Sequence, residues 1–242
     1  MLLTIDIGNT NISFGIFKGK RVLQRFDIPA SLYSRKRLST ALGKVRISDT
    51  VICSVVPAQT LSLKKDLRRL LGRRPYIIGK DIRVPIRNLY RKPAQVGQDR
   101  LVNAFAAVVL YGAPCIIVDL GTAVTFDAIS GHKEYIGGMI LPGIEVSLDA
   151  LYERTALLPR VKLGRPREVI GRDTKNSINS GMIYGFSALT DDLIARIKKK
   201  IGSRAKVIGT GGNIELIRRY CKGINIIDRG LTLKGLNLLY YF

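Results

Sequence analysis

Histidine is almost missing from this chain of 242 residues: there is one, His132, in the turn sequence Ser130-Gly131-His132-Lys133, where it reads as a solvated side chain without a catalytic role. Cysteine is scarce too. Cys53, Cys115 and Cys221 lie far apart, are odd in number and form no CxxC pair, which excludes a disulfide framework and a cysteine zinc site. A reducing, cytoplasmic setting is expected. No long apolar run occurs, because Ala104 to Val118 is broken by Gly112 and Pro114, and the first apolar stretch contains Asp6 with no basic segment before it. Neither a membrane span nor a signal peptide is expected. Low-complexity segments and linkers are also lacking.

Negative charge is the remaining shortage: 18 Asp and Glu against 40 Lys and Arg leave a net charge of +22. Such an excess ordinarily points to nucleic acid. Its distribution argues otherwise. The basic residues form short runs on different segments (Arg35 to Arg37, Lys64-Lys65, Arg68-Arg69, Arg73-Arg74, Lys198 to Lys200, Arg218-Arg219), with no aromatic-interleaved stripe and no basic tail. They read as solvated helix faces, with weak, salt-sensitive attraction for polyanions and no specific nucleic-acid partner.

What the chain has is apolar content, 46%, enough to bury a core of about two domains at ~100 to 150 residues each. It also has a repeat. Asp6-Ile7-Gly8-Asn9-Thr10 and Asp119-Leu120-Gly121-Thr122-Ala123 each follow one short apolar run and precede another. In both, a strand delivers a carboxylate to its end, and a glycine bares backbone N–H groups beside small polar side chains. Such a turn can hold a phosphate chain and its metal. Two of them suggest two related halves facing one nucleotide.

The periodicity supports two α/β halves. Leu2 to Ile7, Ile12 to Phe17 and Arg21 to Ile28 read as an antiparallel meander, followed by a basic segment ending near Gly43, a strand at Val51 to Val56, a helix closed by Gly72 and a strand at Tyr76 to Ile78. The order then repeats: strands at Cys115 to Leu120, Ala123 to Ile129 and Tyr135 to Leu141, a long helix from about Asn176 to Ile201, a strand at Lys206 to Gly209 and a final helix from about Leu231. The boundary is placed near Gly112 to Ala113, giving halves 1–112 and 113–242.

Three further elements bear on chemistry. Gly209-Thr210-Gly211-Gly212-Asn213 opens a helix expected to run through Tyr220, a geometry that suits nucleotide phosphates or adenosine and equally suits a plain turn capped by Asn213. Gly137-Gly138 and Pro142-Gly143 read as pocket wall. Gly97-Gln98-Asp99-Arg100 precedes a helix with Leu101, Phe105, Val108 and Val109 on one face. An aspartate there can be a cap, yet phosphoryl transfer to an alcohol needs a carboxylate to take the hydroxyl proton and a cation to place an anionic acceptor.

These residues together resemble the type III pantothenate kinases, in the superfamily of acetate kinase, sugar kinases, heat-shock chaperones and actin. The resemblance runs through Asp6 to Thr10, Tyr90 with Pro93, Val96, Gly97, Asp99 and Arg100, Asn103, Asp119 to Thr125, Gly137-Gly138, Pro142-Gly143, Thr174 with Ser177-Ile178 and Gly181, Thr210 to Gly212, and Leu231 to Leu236. It implies two tandem ribonuclease H-like (actin-like ATPase) half-domains, each a mixed five-stranded sheet flanked by helices. It implies ATP-dependent phosphorylation of pantothenate to 4'-phosphopantothenate, the first step of coenzyme A synthesis. Asp99 would be the general base. Tyr90, Gly97, Gln98, Asp99 and Arg100 would hold pantothenate, with Thr174 reaching in from the other subunit of a homodimer. Asp6, Ile7, Gly8, Asn9, Thr10, Asn11, Ile12, Ser13 and Thr122 would bind ATP with Mg²⁺, Asp6 as the magnesium ligand. Asp119 would hold an activating monovalent cation, potassium or ammonium. Gln98 departs from the small residue the family often has, and Asp228-Arg229-Gly230-Leu231 replaces the usual Asp-Pro pair. Two other readings are a kinase for another small hydroxy acid and a regulatory protein that keeps the fold.

Overall fold

The computed structural model describes all residues from Met1 to Phe242. In chain order it has β1 (Leu2–Ile7), β2 (Asn11–Lys18), β3 (Arg21–Pro29), α1 (Arg35–Leu42), β4 (Asp49–Ser54), α2 (Pro57–Leu71), β5 (Tyr76–Ile77), β6 (Arg87–Asn88) and α3 (Gln98–Tyr111). Then come β7 (Cys115–Leu120), β8 (Ala123–Ile129), β9 (Glu134–Pro142), α4 (Ile144–Arg154), α5 (Thr174–Ile201), β10 (Lys206–Thr210), α6 (Ile214–Ile217), β11 (Ile226–Ile227) and α7 (Leu231–Tyr241). Two units result, one of residues 1–86, 91–106 and 230–242, the other of residues 87–90 and 107–229.

The first unit is built on a mixed five-stranded sheet in the order β3-β2-β1-β4-β5, with β1 antiparallel to β2 and parallel to β4. β1 sits in the middle because its residues are apolar on both faces, the pattern of a strand covered on both sides. Leu3, Ile5 and Ile7 pack with Leu38 and Leu42 of α1 and Leu63 and Leu67 of α2. Leu2 on the opposite face packs with Val51, Cys53, Val102, Phe105, Leu233, Leu236 and Leu239. Local signals set the helix ends. Ser34 accepts from the Arg37 N–H, Pro57 opens α2 as well as closing the strand before it, and Gly72 ends α2 at φ 69°.

The second unit repeats that sheet strand for strand. Its order, β11-β10-β7-β8-β9-β6, places β7 where β1 lies in the first, with β8 and β9 antiparallel on one side and β10 and β11 parallel on the other. The addition is β6, a sixth strand paired parallel to β9 through Arg87 with Glu134 and Asn88 with Tyr135. The expected five strands are therefore present, plus a two-residue edge that no periodicity of its own could announce. Ile183, Ile194 and Ile197 of α5 cover this sheet with Ile144 of α4 and Ile214 and Ile217 of α6.

Two expectations change. α7 closes the chain but belongs with the first sheet: Leu233, Leu236 and Leu239 are buried against it, and Thr232 Oγ1 donates to Asn103 Oδ1 at 2.8 Å. A boundary drawn from sequence order alone assigns α7 to the wrong half, because that packing is non-local. The helix after Gly212 is also short, since α6 ends at Ile217 and residues 218–220 form turns, while Asn213 makes no side-chain cap. No helix is long and apolar enough to cross a membrane.

Candidate active site

In the first unit, β1 carries Asp6 to the end of the sheet, half-buried, with the exposed Asn9, Thr10 and Asn11 forming the loop. The Gly8 N–H is not free for a ligand: it donates to the Asn11 carbonyl at 3.0 Å and closes the turn. Ser13 lies opposite Asp6 in the β1–β2 register, and its hydroxyl donates to Asp27 Oδ1 at 2.6 Å. Ile7 and Ile12 form the next pair and are buried, so they set the loop's position by packing.

Cys53 lies beside Asp6 on the other side, in the parallel β1–β4 register, and is fully buried. Burial pushes its thiol well above the ordinary range, and the negative charges of Asp6 and Asp99 push it further. Two carboxylates thus act on one buried sulfur. Asp99 is the second residue of α3, where the start of the helix favours a negative side chain. Its Oδ1 is buried without a hydrogen-bond partner. Burial raises its carboxyl above the usual range, opposed by the Arg100 N–H and the Arg100 charge. Gly97 makes this position possible, since a Cβ there would lie 2.4 Å from Asp99 Oδ1. Arg100 is itself buried, and Gln98 turns its side chain onto Gly79.

The second unit repeats the loop with different furnishings. The Gly121 N–H donates to the Ala123 carbonyl at 3.1 Å, and Thr122 is exposed at the tip. Gly143 buttresses this loop: its N–H donates to the Thr122 carbonyl at 3.0 Å, and a Cβ would meet that oxygen at 2.3 Å. Asp119 is half-buried, with Oδ1 lying 3.3 Å from where a Cβ of Gly121 would stand and 2.5 Å from one of Gly211. The Thr210-Gly211-Gly212 turn therefore sits directly on the second loop, with Thr210 paired to Asp119 and the Asn213 N–H donating to the Leu120 carbonyl at 3.1 Å. Asp127 plays a structural part, accepting from the Tyr135 hydroxyl at 2.7 Å.

Tyr90 is half-buried at the end of β6, its N–H donating to Asn88 Oδ1 at 3.0 Å and its ring within 3.6 Å of a Cβ position on Gly137. Thr174 is exposed at the first turn of α5, next to the cap Asp173, whose carboxylate accepts from the Asn176 N–H at 2.9 Å. It lines an open groove of about 610 Å³ with Leu151, Leu158, Ser177, Ile178 and Met182. His132 is exposed at the β8–β9 turn, and all three cysteines are free. Asn103 and Gly143 matched the family pattern, but their structural tasks, holding α7 and bracing the Thr122 loop, depend on partners distant in sequence.

No three His, Cys, Asp or Glu side chains converge anywhere, so a cation held by Asp6 or by Asp119 would need oxygen ligands from beyond the carboxylates. That donor chemistry fits hard cations, which take oxygen ligands and, in the case of Mg²⁺, rely on substrate phosphates rather than a protein cage. A Cβ at Gly121 or at Gly211 would crowd the Asp119 Oδ1, so both glycines keep the space beside that oxygen open.

Known proteins resemble this chain in sequence and in fold. The family model described as type III pantothenate kinase matches residues 2–196. A type III pantothenate kinase of Persephonella marina (strain DSM 14350 / EX-H1) is 41% identical over 252 residues, covering 100% of this chain and 99% of its own. Among solved structures, a Campylobacter jejuni protein described as a Baf family transcriptional activator superposes with a TM-score of 0.60 at 20% identity, covering 99% of this chain and 97% of its own. The activator of the 2-hydroxyisocaproyl-CoA dehydratase from Clostridium difficile, with bound ADPNP, does so with a TM-score of 0.55 at 13% identity, covering 98% and 92%. These likenesses give the fold alone, two mixed α/β sheets flanked by helices. With a family model spanning most of its length and a relative 41% identical from end to end, the chain belongs to the type III pantothenate kinase family.

Proposed function

We propose that this chain carries out the reaction of its family, ATP-dependent phosphorylation of pantothenate in coenzyme A synthesis, with Asp99 as general base. The hydroxyl oxygen of pantothenate forms a bond to the γ-phosphorus of ATP, the bond from that phosphorus to the β,γ-bridging oxygen breaks, and ADP leaves. The hydroxyl proton passes to the Asp99 carboxylate. The observation that carries this reading is Asp99 Oδ1, buried and without a partner, on a carboxyl whose proton affinity burial has raised. A carboxylate with raised proton affinity is a stronger base, which suits proton removal.

The other assignments follow the family pattern. Gly97, Arg100 and Tyr90 hold pantothenate, the buried Arg100 supplying a cation for its carboxylate. Residues Asp6 to Ser13 and Thr122 bind ATP, with exposed loop amides and hydroxyls as donors and Asp6 as the magnesium ligand. Asp119 holds potassium or ammonium. The two cations supply charge neutralisation for the phosphates in the transition state. Thr174 is contributed by a second copy in a homodimer, and the enzyme works in the cytoplasm.

An ATP-consumption assay with pantothenate, run with and without potassium or ammonium, tests the reading. Pantothenate-dependent turnover that rises with the cation is expected. No turnover under any of these conditions would defeat it.

A further inference from the structure

Asp99 is followed and preceded by residues that do different things with their side chains. The family resemblance puts Gln98 against pantothenate, yet its side chain lies on a turn at the end of β5. A Cβ on Gly79 would stand 2.8 Å from Gln98 Cδ, 2.9 Å from Oε1 and 3.1 Å from Cγ. The amide is thus laid against the α-carbon of Gly79, which is free to accept it for want of a side chain and holds φ at +82°.

The turn that receives Gln98 is closely tied. The Gly79 N–H donates to the Ile82 carbonyl at 2.8 Å and the Asp81 N–H to the Ile77 carbonyl at 2.8 Å. Asp81 closes the turn a second time, with Oδ2 accepting from the Ile77 N–H at 2.9 Å and Oδ1 from Arg74 at 2.6 Å. Such a turn offers a firm seat.

The Asp99 carboxylate, in contrast, has little of its own to orient it. One oxygen has no partner. Backbone N–H groups of Asp99 and Arg100, in the first turn of α3, are the hydrogen-bond donors that act on the group. Its aim is therefore inherited from the first turn of α3, and Gln98 is the residue that begins that helix.

We propose that Gln98 is a positioning residue: seated on Gly79, it fixes the first turn of α3 and through it the direction of the Asp99 carboxylate. This rests on Asp99 being the base. It assigns Gln98 a role by reach and shape, with no contact to pantothenate.

Steady-state kinetics of Gln98→Asn, Gln98→Met and Gly79→Ala, with thermal melts to confirm folding, decide the matter. Gln98→Asn keeps the amide but is one methylene too short for the seat, so kcat is expected to fall about tenfold or more with the KM for pantothenate within about twofold, the signature of a misdirected reacting group. Gln98→Met keeps the reach without the amide and is expected to recover most of that kcat. Gly79→Ala should push Gln98 off its seat and lower kcat alone, and adding Gln98→Asn to it should cost little more, because both act on one contact. The reverse pattern overturns the proposal: Gln98→Met raising the KM for pantothenate at unchanged kcat would make the amide a substrate ligand, while full kcat in Gln98→Asn or additive losses in the double variant would show that the seat on Gly79 does not direct Asp99. Asp99→Asn measured alongside separates the two ideas. Turnover lost there with Gln98→Asn normal sinks the positioning role alone, whereas near-normal turnover in Asp99→Asn removes the base assignment.

Discussion

The α-carbon of Gly97 lies so close to Asp99 that a methyl group there would stand 2.4 Å from Oδ1, well inside contact distance. The smallest residue thus leaves room for the carboxylate assigned as base. Gly97→Ala is expected to leave the fold intact, since the atom it meets is a side-chain end able to turn away. Turning it away should lower kcat roughly a hundredfold, on the scale expected for a misplacement of about 1 Å. Kinetics paired with calorimetric ATP titration checks this, with ATP affinity expected to stay at the wild-type value.

Asp99→Asn should abolish phosphorylation while ATP still binds. It should also stabilise the protein at neutral pH. Burial raises the folded-state pKa of Asp99 above its unfolded value, so the folded protein holds this proton more tightly. Stability is then lost as pH rises from the ordinary carboxylate range through the raised pKa, and the full loss is present above it. Asparagine removes that loss. Thermal melts should give the variant a higher Tm than wild type at pH 7, with the gain vanishing below about pH 3, where the carboxyl is protonated in both states. An unchanged or lower Tm at pH 7 would contradict the buried-charge account.

Gly211 and Gly212 are adjacent and should respond differently. Gly211 holds φ at +91°, and a Cβ on it would meet Asp119 Oδ1 at 2.5 Å and the Leu120 backbone at 2.6 Å, whereas one on Gly212 meets nothing within 4 Å. Gly211→Ala should destabilise by about 1–3 kcal/mol, since backbone cannot yield as a side chain can. Urea titration measures this, and activity against potassium or ammonium concentration should show weakened activation. Gly212→Ala should fall within about 0.5 kcal/mol of wild type. Asp119→Ala should lose the cation dependence with Tm little changed.

The net charge of +22 makes its own prediction. Filter binding to nucleic acid should find weak association that disappears as salt rises, the behaviour of dispersed surface charge. Tight, sequence-selective binding at physiological salt would restore the regulatory reading set aside in favour of the kinase.

Much of the fold was legible in the sequence because its signals are local. Apolar runs of strand length, Gly19 and Gly131 at the turns, and the glycines closing α1, α2 and α5 mark elements through backbone preferences that act within a few residues. The repeated carboxylate and glycine pointed to duplicated sheets, and the strand orders agree. What failed did so where distant residues decide. β6 exists only because β9 offers an edge to Arg87 and Asn88, and α6 stops after a single turn despite further apolar positions at Tyr220 and Cys221. The Ser13 hydroxyl donates to Asp27 across the β2–β3 pair, a partner that no signal local to Ser13 names.

The sequence alone determined the chemistry on offer: two strand-end carboxylates, a third beside an arginine at a helix start, and one histidine with no task. Those are properties of residue types and spacing, and they survive without coordinates. Only the tertiary structure decided which atoms are available. It packed α7 on the first sheet, paired Cys53 with Asp6 across neighbouring strands, set Gly211 against Asp119 and turned Gln98 onto Gly79. Each of these contacts links residues well separated in sequence, where chain proximity carries no information and close packing alone selects the partner.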